Sequence, residues 1–217
     1  KLRYEQEVVG FYISGHPLDT FRIEMDNFCT CTLDKLFEAE EGSPVPVHYN
    51  KEVSVAGIVT SAQERISKTG NPFMIFKIED YMSATELFLS GEDYVRLGGY
   101  VQVGRFLYLK GKVQSKWRQE DQFELKVNTI QLLPDIREKL CKRVKVSIPL
   151  EEITSETIEA ITLATEHSPG SCVLTIELID NESMLGVEML ARNIRISPSN
   201  TFFENLKKLP NVRFALN

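Results

Sequence analysis

Between Lys51 and Leu133 apolar residues recur at every second position in five separate runs, the signature of half-buried strands. The runs are Val53 to Gln63, Pro72 to Glu79, Thr85 to Leu89, Phe106 to Lys116 and Phe123 to Leu133. The turn Lys68-Thr69-Gly70-Asn71 joins the first two, and a helical stretch from Glu92 to Leu97 separates the third from the fourth. A closed sheet is the economical answer to so many strands, because closure removes the exposed edges.

Three strands, a helix and two strands is the order of the five-stranded OB-fold barrel. Parity within each run assigns the faces. Met74, Phe76 and Ile78 fill the barrel, while Phe73, Ile75 and Lys77 face outward; Leu107, Leu109, Gly111 and Val113 point in, while Phe106, Tyr108, Lys110 and Lys112 point out.

The flanks follow different patterns. Residues 1–50 form a mixed connector, opening within what reads as a helix, with an irregular helix from Leu18 to Phe28 and a short turn from Thr32 to Phe37. The acidic, proline-rich run Glu38 to Pro46 marks a domain boundary. After the barrel domain, residues 51–134, come a helical bridge from Asp135 to Cys141, strands at Val144 to Leu150, Cys172 to Ile179, Leu185 to Leu190 and Val212 to Leu216, and helices at Thr154 to Glu166 and Thr201 to Leu209. Ser197-Pro198 supplies a cap and a first-turn proline for the last helix. This β-α-β-β-α-β order predicts a small ferredoxin-like α+β domain over residues 135–217.

Charge separates the regions. The chain carries a net −6, yet residues 51–133 hold 11 Lys and Arg against 10 Asp and Glu, a local +1 that leaves the remainder at −7. The barrel is the part to which a polyanion has access. Single-stranded nucleic acid is held by cations at its phosphates and by aromatic faces beneath its bases. The loop between the first two strands offers Arg65, Lys68 and Asn71, and the loop between the last two offers Lys116, Trp117 and Arg118. On the sheet between them Phe73, Lys77 and Phe88 face outward, with Lys112 on the neighbouring strand. The lone tryptophan, set between two cations at a loop tip, is a candidate stacking platform.

Catalytic and metal chemistry find little support. Glu79-Asp80 and Asp121 do not converge as a two-metal site requires, since neighbours on a strand face opposite ways and Asp80 begins a turn. His16, His48 and His167 are scattered without a nucleophile, and His16 sits in a turn before proline. Cys29, Cys31, Cys141 and Cys172 lack zinc-ligand spacing and read as reduced thiols. No run of apolar residues is long enough to cross a bilayer, so no membrane role is expected.

The segment Gly10-Phe11-Tyr12-Ile13-Ser14-Gly15-His16-Pro17-Leu18-Asp19, preceded by Glu5-Gln6-Glu7-Val8-Val9, resembles the C-terminal part of the bacterial replicative DNA polymerase III alpha subunit, where a similar segment leads into an OB barrel. Ile66 to Pro72 agrees with the basic, glycine-containing hairpin of that family, and Ile78-Glu79-Asp80 through Glu86-Leu87-Phe88 with its next strand pair. Ser83-Ala84 departs from the glycine usual in that second turn, which implies a longer or differently bent turn. The resemblance implies a piece of a longer cytoplasmic replication protein, with residues 1–50 leading from the polymerase core. It implies a barrel near the single-stranded DNA template and a C-terminal domain that binds the tau subunit of the clamp loader. It also implies that this part holds no cofactor, since the Mg-dependent nucleotidyl transfer belongs to the palm, and that the sliding-clamp motif precedes Gly10. Two other readings of the barrel remain: a purely protein-binding module of the replisome, and an anticodon-binding barrel, against which the Gly-Phe-Tyr to His-Pro segment argues.

Overall fold

The computed structural model describes residues 15–116, 119–183 and 185–216, so the helix expected at the chain start, the Gly10–Ser14 part of the motif, and Trp117 and Arg118 lie outside the described residues. The chain divides into two compact units between Ile136 and Arg137.

In the first unit a 3-10 turn, Asp19–Phe21, leads into helix α1, Arg22–Phe28. The barrel follows as β1 (Glu52–Ile66), β2 (Pro72–Glu79), β3 (Ala84–Ser90), helix α2 (Gly91–Leu97), β4 (Phe106–Lys116) and β5 (Gln119–Leu132). The sheet order is β3-β2-β1-β4-β5 with antiparallel neighbours throughout. β3 and β5 approach each other and bring the sheet round on itself. β1 serves both halves, pairing with β4 through Ile58 and with β2 beyond it, and a bulge between Val59 and Ser61 marks the bend. Gly57 is required there, because a β-carbon would stand 2.7 Å from the Glu79 carbonyl oxygen.

Parity holds in the interior: Met74, Phe76, Ile78, Leu107, Leu109 and Val113 are all buried in one core, closed by Leu33 and Leu36 of the connector. Outside, parity alone misleads. Tyr108 belongs to the outward set of β4 yet is buried, since its hydroxyl donates to the Phe28 carbonyl at 3.0 Å and the connector covers it. Ser54, on the same side of β1, also donates to that carbonyl, and Phe21 stacks on Phe106 with centroids 4.9 Å apart.

Asp80 ties connector to barrel. Its buried carboxylate accepts from the Leu33 amide at 2.7 Å and from Met82 and Ser83 at 2.8 and 2.9 Å. The turn lacking the family's glycine therefore runs from Asp80 to Ser83, braced by a carboxylate.

A 3-10 turn (Leu133–Asp135) ends the first unit, and the second opens within helix α3 (Ile136–Leu140). Its elements are β6 (Arg143–Pro149), α4 (Ser155–Glu166), β7 (Pro169–Asp180), β8 (Leu185–Ile196), α5 (Asn200–Lys207) and β9 (Arg213–Leu216). The expected α+β class and element order are present. The strand order, β8-β7-β6-β9, differs from a split ferredoxin-like sheet: β6 and β7 lie side by side in parallel, and β8 folds back on β7 as a hairpin. Element order alone does not fix pairing, and the short Asn181–Ser183 link favours the hairpin.

The cap of α5 also moves. Ser199, not Ser197, accepts the Phe202 amide at 3.2 Å, and Pro198 precedes the cap rather than opening the helix. Arg137 donates to the Pro198 carbonyl and to Asn200 Oδ1, fixing this entry. Phe202, Phe203 and Leu206 are buried, and Phe203 stacks on Phe214 at 4.5 Å. All four cysteines are free. Burial pushes the Cys29 thiol up to about 12, and burial together with neighbouring Cys172 pushes Cys141 up to about 12.

Candidate nucleic-acid interface

Strand register places the outward residues of the first three strands in transverse rows. Arg65 stands opposite Phe73, which stands opposite Ser90; Gln63, Ile75 and Phe88 form the next row; Ser61, Lys77 and Glu86 the third. Phe73 and Phe88 are diagonal neighbours whose rings meet with centroids 5.2 Å apart, tilted by 45°. Phe88 is 48% exposed, unusual for a phenylalanine and the geometry of a stacking platform.

Beside this pair a cleft of about 520 Å³ opens in the seam between β2–β3 and β4–β5. Ile75, Leu87 and Phe88 line one wall, and Gln114, Lys116, Glu124 and Lys126 the other. The register explains the second wall: Gln114 pairs with Glu124, and the two side chains share a 2.9 Å hydrogen bond. Lys112 stands opposite Lys126 but does not line the cleft.

The electrostatics are mixed. Three carboxylates, Glu86, Asp93 and Glu124, face two ammonium groups, Lys116 and Lys126. Asp93 is engaged by Arg96 at 2.7 Å. Lys116 reaches Gln122 at 3.4 Å. The walls thus offer a polyanion specific contacts rather than a broad positive field.

The hairpin cations lie apart from the cleft. Lys68 is exposed at the tip, where Gly70 takes a φ of +81°. The Asn71 side chain is engaged inside the turn, its amide donating to Thr69 Oγ1 at 3.3 Å, and Arg65 donates to Gln63 at 2.7 Å. Among the sequence-based candidates, then, Phe73, Lys77, Phe88 and Lys116 gather on or beside the cleft; Arg65, Lys68 and Asn71 extend the same sheet at its hairpin end, and Lys112 lies outside the lining. Gln114, Glu86, Glu124 and Lys126 were missed. Parity along β4 and β5 carries the signal, since Gln114 shares the face of Lys116, and Glu124 and Lys126 alternate with buried Leu125 and Val127.

A second hollow of about 530 Å³, lined by Val95, Tyr100, Arg105 and Phe106, lies elsewhere on the first unit. Its Arg105 guanidinium is tied to the Gly99 and Tyr100 carbonyls.

Comparison with known proteins covers both units. Residues 53–133 match the model of the OB-fold nucleic acid binding domain, and residues 144–217 that of the DNA polymerase III alpha subunit, C-terminal domain. DNA polymerase III subunit alpha of Mycobacterium tuberculosis is 25% identical over 210 residues, and that of Vibrio cholerae 23% over 214, each alignment covering 96% of this chain. That of Buchnera aphidicola is 29% identical over 111 residues, 51% of the chain. The chain spans 17% of the length of the first two relatives. Among solved structures, the mitochondrial single-stranded DNA binding protein Rim1 of S. cerevisiae aligns over 38% of this chain and 95% of its own, with 19% identity and a TM-score of 0.32. Along nearly its whole length the chain is similar to the DNA polymerase III alpha subunit, residues 53–133 matching the model of an OB-fold nucleic acid binding domain and residues 144–217 that of the subunit's C-terminal domain.

Proposed function

We propose that this chain is a non-catalytic C-terminal part of a replicative DNA polymerase, whose barrel holds single-stranded template DNA along the β2–β3 face and its cleft. The observation that carries this reading is the Phe73–Phe88 pair, half-buried at Phe73 and exposed at Phe88, beside Lys116 and Lys126. Bases stack on the two rings while the lysines take flanking phosphates, and Arg65 and Lys68 continue the path toward the hairpin. Trp117 and Arg118 are assigned to the same path on sequence grounds. The contacts are tolerant of sequence, and their role is positioning: template is kept near an active site in another part of the polymerase, where Mg supports nucleotidyl transfer. Residues 137–217 tether the polymerase to the tau subunit of the clamp loader, a reading supported by the family match of residues 144–217. The setting is the cytoplasm, with the rest of the polymerase chain as a partner.

Titration with a labelled oligothymidylate at two salt concentrations tests the DNA reading. With two or three phosphates neutralised, the logarithm of affinity falls against the logarithm of salt with a slope of about −1.4 to −2. Phe88→Ala costs roughly 1–3 kcal/mol of binding. Lys116→Ala with Lys126→Ala flattens the slope. Absence of binding at low salt contradicts the reading. A specific observation favours a second one, in which the barrel binds protein: the carboxylates Glu86, Asp93 and Glu124 in the cleft suit a basic peptide. In that case a partner, not DNA, responds to Glu86→Gln. Capture of the purified tau subunit by the chain, lost on deletion of residues 137–217, tests the tether.

A further inference from the structure

β8 is an edge strand, and among the described residues nothing pairs with its outer side. From Leu185 to Leu190 it pairs residue for residue with β7 on its inner side, so the outer side presents a regular row of backbone donors and acceptors about 20 Å long. Natural edges of this length are commonly guarded by lysine, proline or a bulge. Here the only charge in those six residues, Glu188, is drawn toward Arg143 at 3.5 Å, and the irregular register begins only after Leu190.

The exposed side chains are apolar and alternate. Leu185, Val187 and Met189 are 69%, 61% and 45% exposed and share one face of the sheet. Two cations, Arg192 and Arg195, follow toward the C-terminal end of β8, both exposed, with no acidic residue between Met189 and Phe203.

We infer that the β8 edge receives an extended peptide segment of a partner protein as a fifth strand. Backbone hydrogen bonds set its conformation. Apolar side chains at every second position cover Leu185, Val187 and Met189, and carboxylates at one end meet Arg192 and Arg195. The inference stands on β8 alone and holds whichever partner the domain tethers.

The test is a titration of the full chain with a fluorescein-labelled ten-residue peptide of alternating valine and threonine, carrying two aspartates at its N-terminus. Antiparallel addition sets those aspartates beside the arginines. Saturable binding is expected, weakened about tenfold or more when alternate backbone nitrogens along one side of the peptide are methylated, because strand addition needs those donors. Val187→Asp weakens it by a similar factor, and Arg192→Glu with Arg195→Glu by about threefold. Val187 is exposed, so circular dichroism and oligothymidylate binding stay unchanged in that variant. No saturable binding at about 1 mM peptide overturns the inference. So does equal binding of the methylated peptide, or self-association of the chain that Val187→Asp abolishes, which would assign the edge to a second copy.

Discussion

The two sheets of this chain treat the same sequence pattern differently. In the barrel the sheet closes, and every inward residue of β2 and β4 finds a core: Phe76, Ile78, Leu107 and Leu109 are fully buried. In the second unit the sheet stays open. Val146 and Phe214 stand opposite each other beneath α5, while Val187 and Met189, on the same face by register through Ile176 and Leu178, are exposed. Alternation therefore says which residues share a face, and only the layer packed on that face decides which of them are buried.

The largest effect that would sharpen this contrast is Phe76→Ala. It removes a fully buried ring from the barrel and should cost about 3–5 kcal/mol in denaturant unfolding. A loss below about 1 kcal/mol would mean that the barrel core is looser than its burial indicates. Next comes Asp80→Ala, which leaves three amides, those of Leu33, Met82 and Ser83, without their acceptor. A cost of roughly 2–4 kcal/mol is expected, with faster hydrogen exchange at Leu33. Within the open sheet itself, Val146→Thr should cost about 1–2 kcal/mol by burying a hydroxyl, whereas Val187→Thr should change stability by less than about 0.5 kcal/mol. Equal costs would break the comparison.

The smallest effect is electrostatic. The Ser147 hydroxyl, donating to Glu177 at 2.6 Å, and the Lys145 ammonium at 3.0 Å hold the Glu177 carboxyl below its usual range. A carboxyl whose pKa is lower folded than unfolded stabilises the fold above its unfolded value, near 4.3, and that contribution disappears as pH falls through the folded value. Thermal melts between pH 6 and 3 should show the wild type losing at most about 2–4 °C relative to Glu177→Gln.

Much of the barrel was legible because period two, a glycine turn and a short helix are local signals. β2 and β4 begin and end where alternation begins and ends. The cover over Tyr108 was not legible, since it depends on Phe28, 80 residues away in sequence. Nor was the order β8-β7-β6-β9, because strand pairing is a tertiary choice among arrangements with the same element order. At the site, the sequence pointed to loop-tip cations, which are conspicuous as clusters. Glu124 and Lys126 escaped notice because the pairing of β4 with β5, which sets Glu124 against Gln114 and Lys126 against Lys112, is what brings them to the wall of the cleft.

The central claim is that single-stranded DNA follows the Phe73–Phe88 face and the adjoining cleft, and amide chemical-shift mapping with an oligothymidylate tests it most directly. The account predicts salt-sensitive shifts concentrated at Phe73 to Lys77, Glu86 to Ser90, Gln114 to Lys116 and Glu124 to Lys126. Shifts confined to the hollow around Val95, Tyr100 and Arg105, or to β8, or no shifts at low salt, would contradict it.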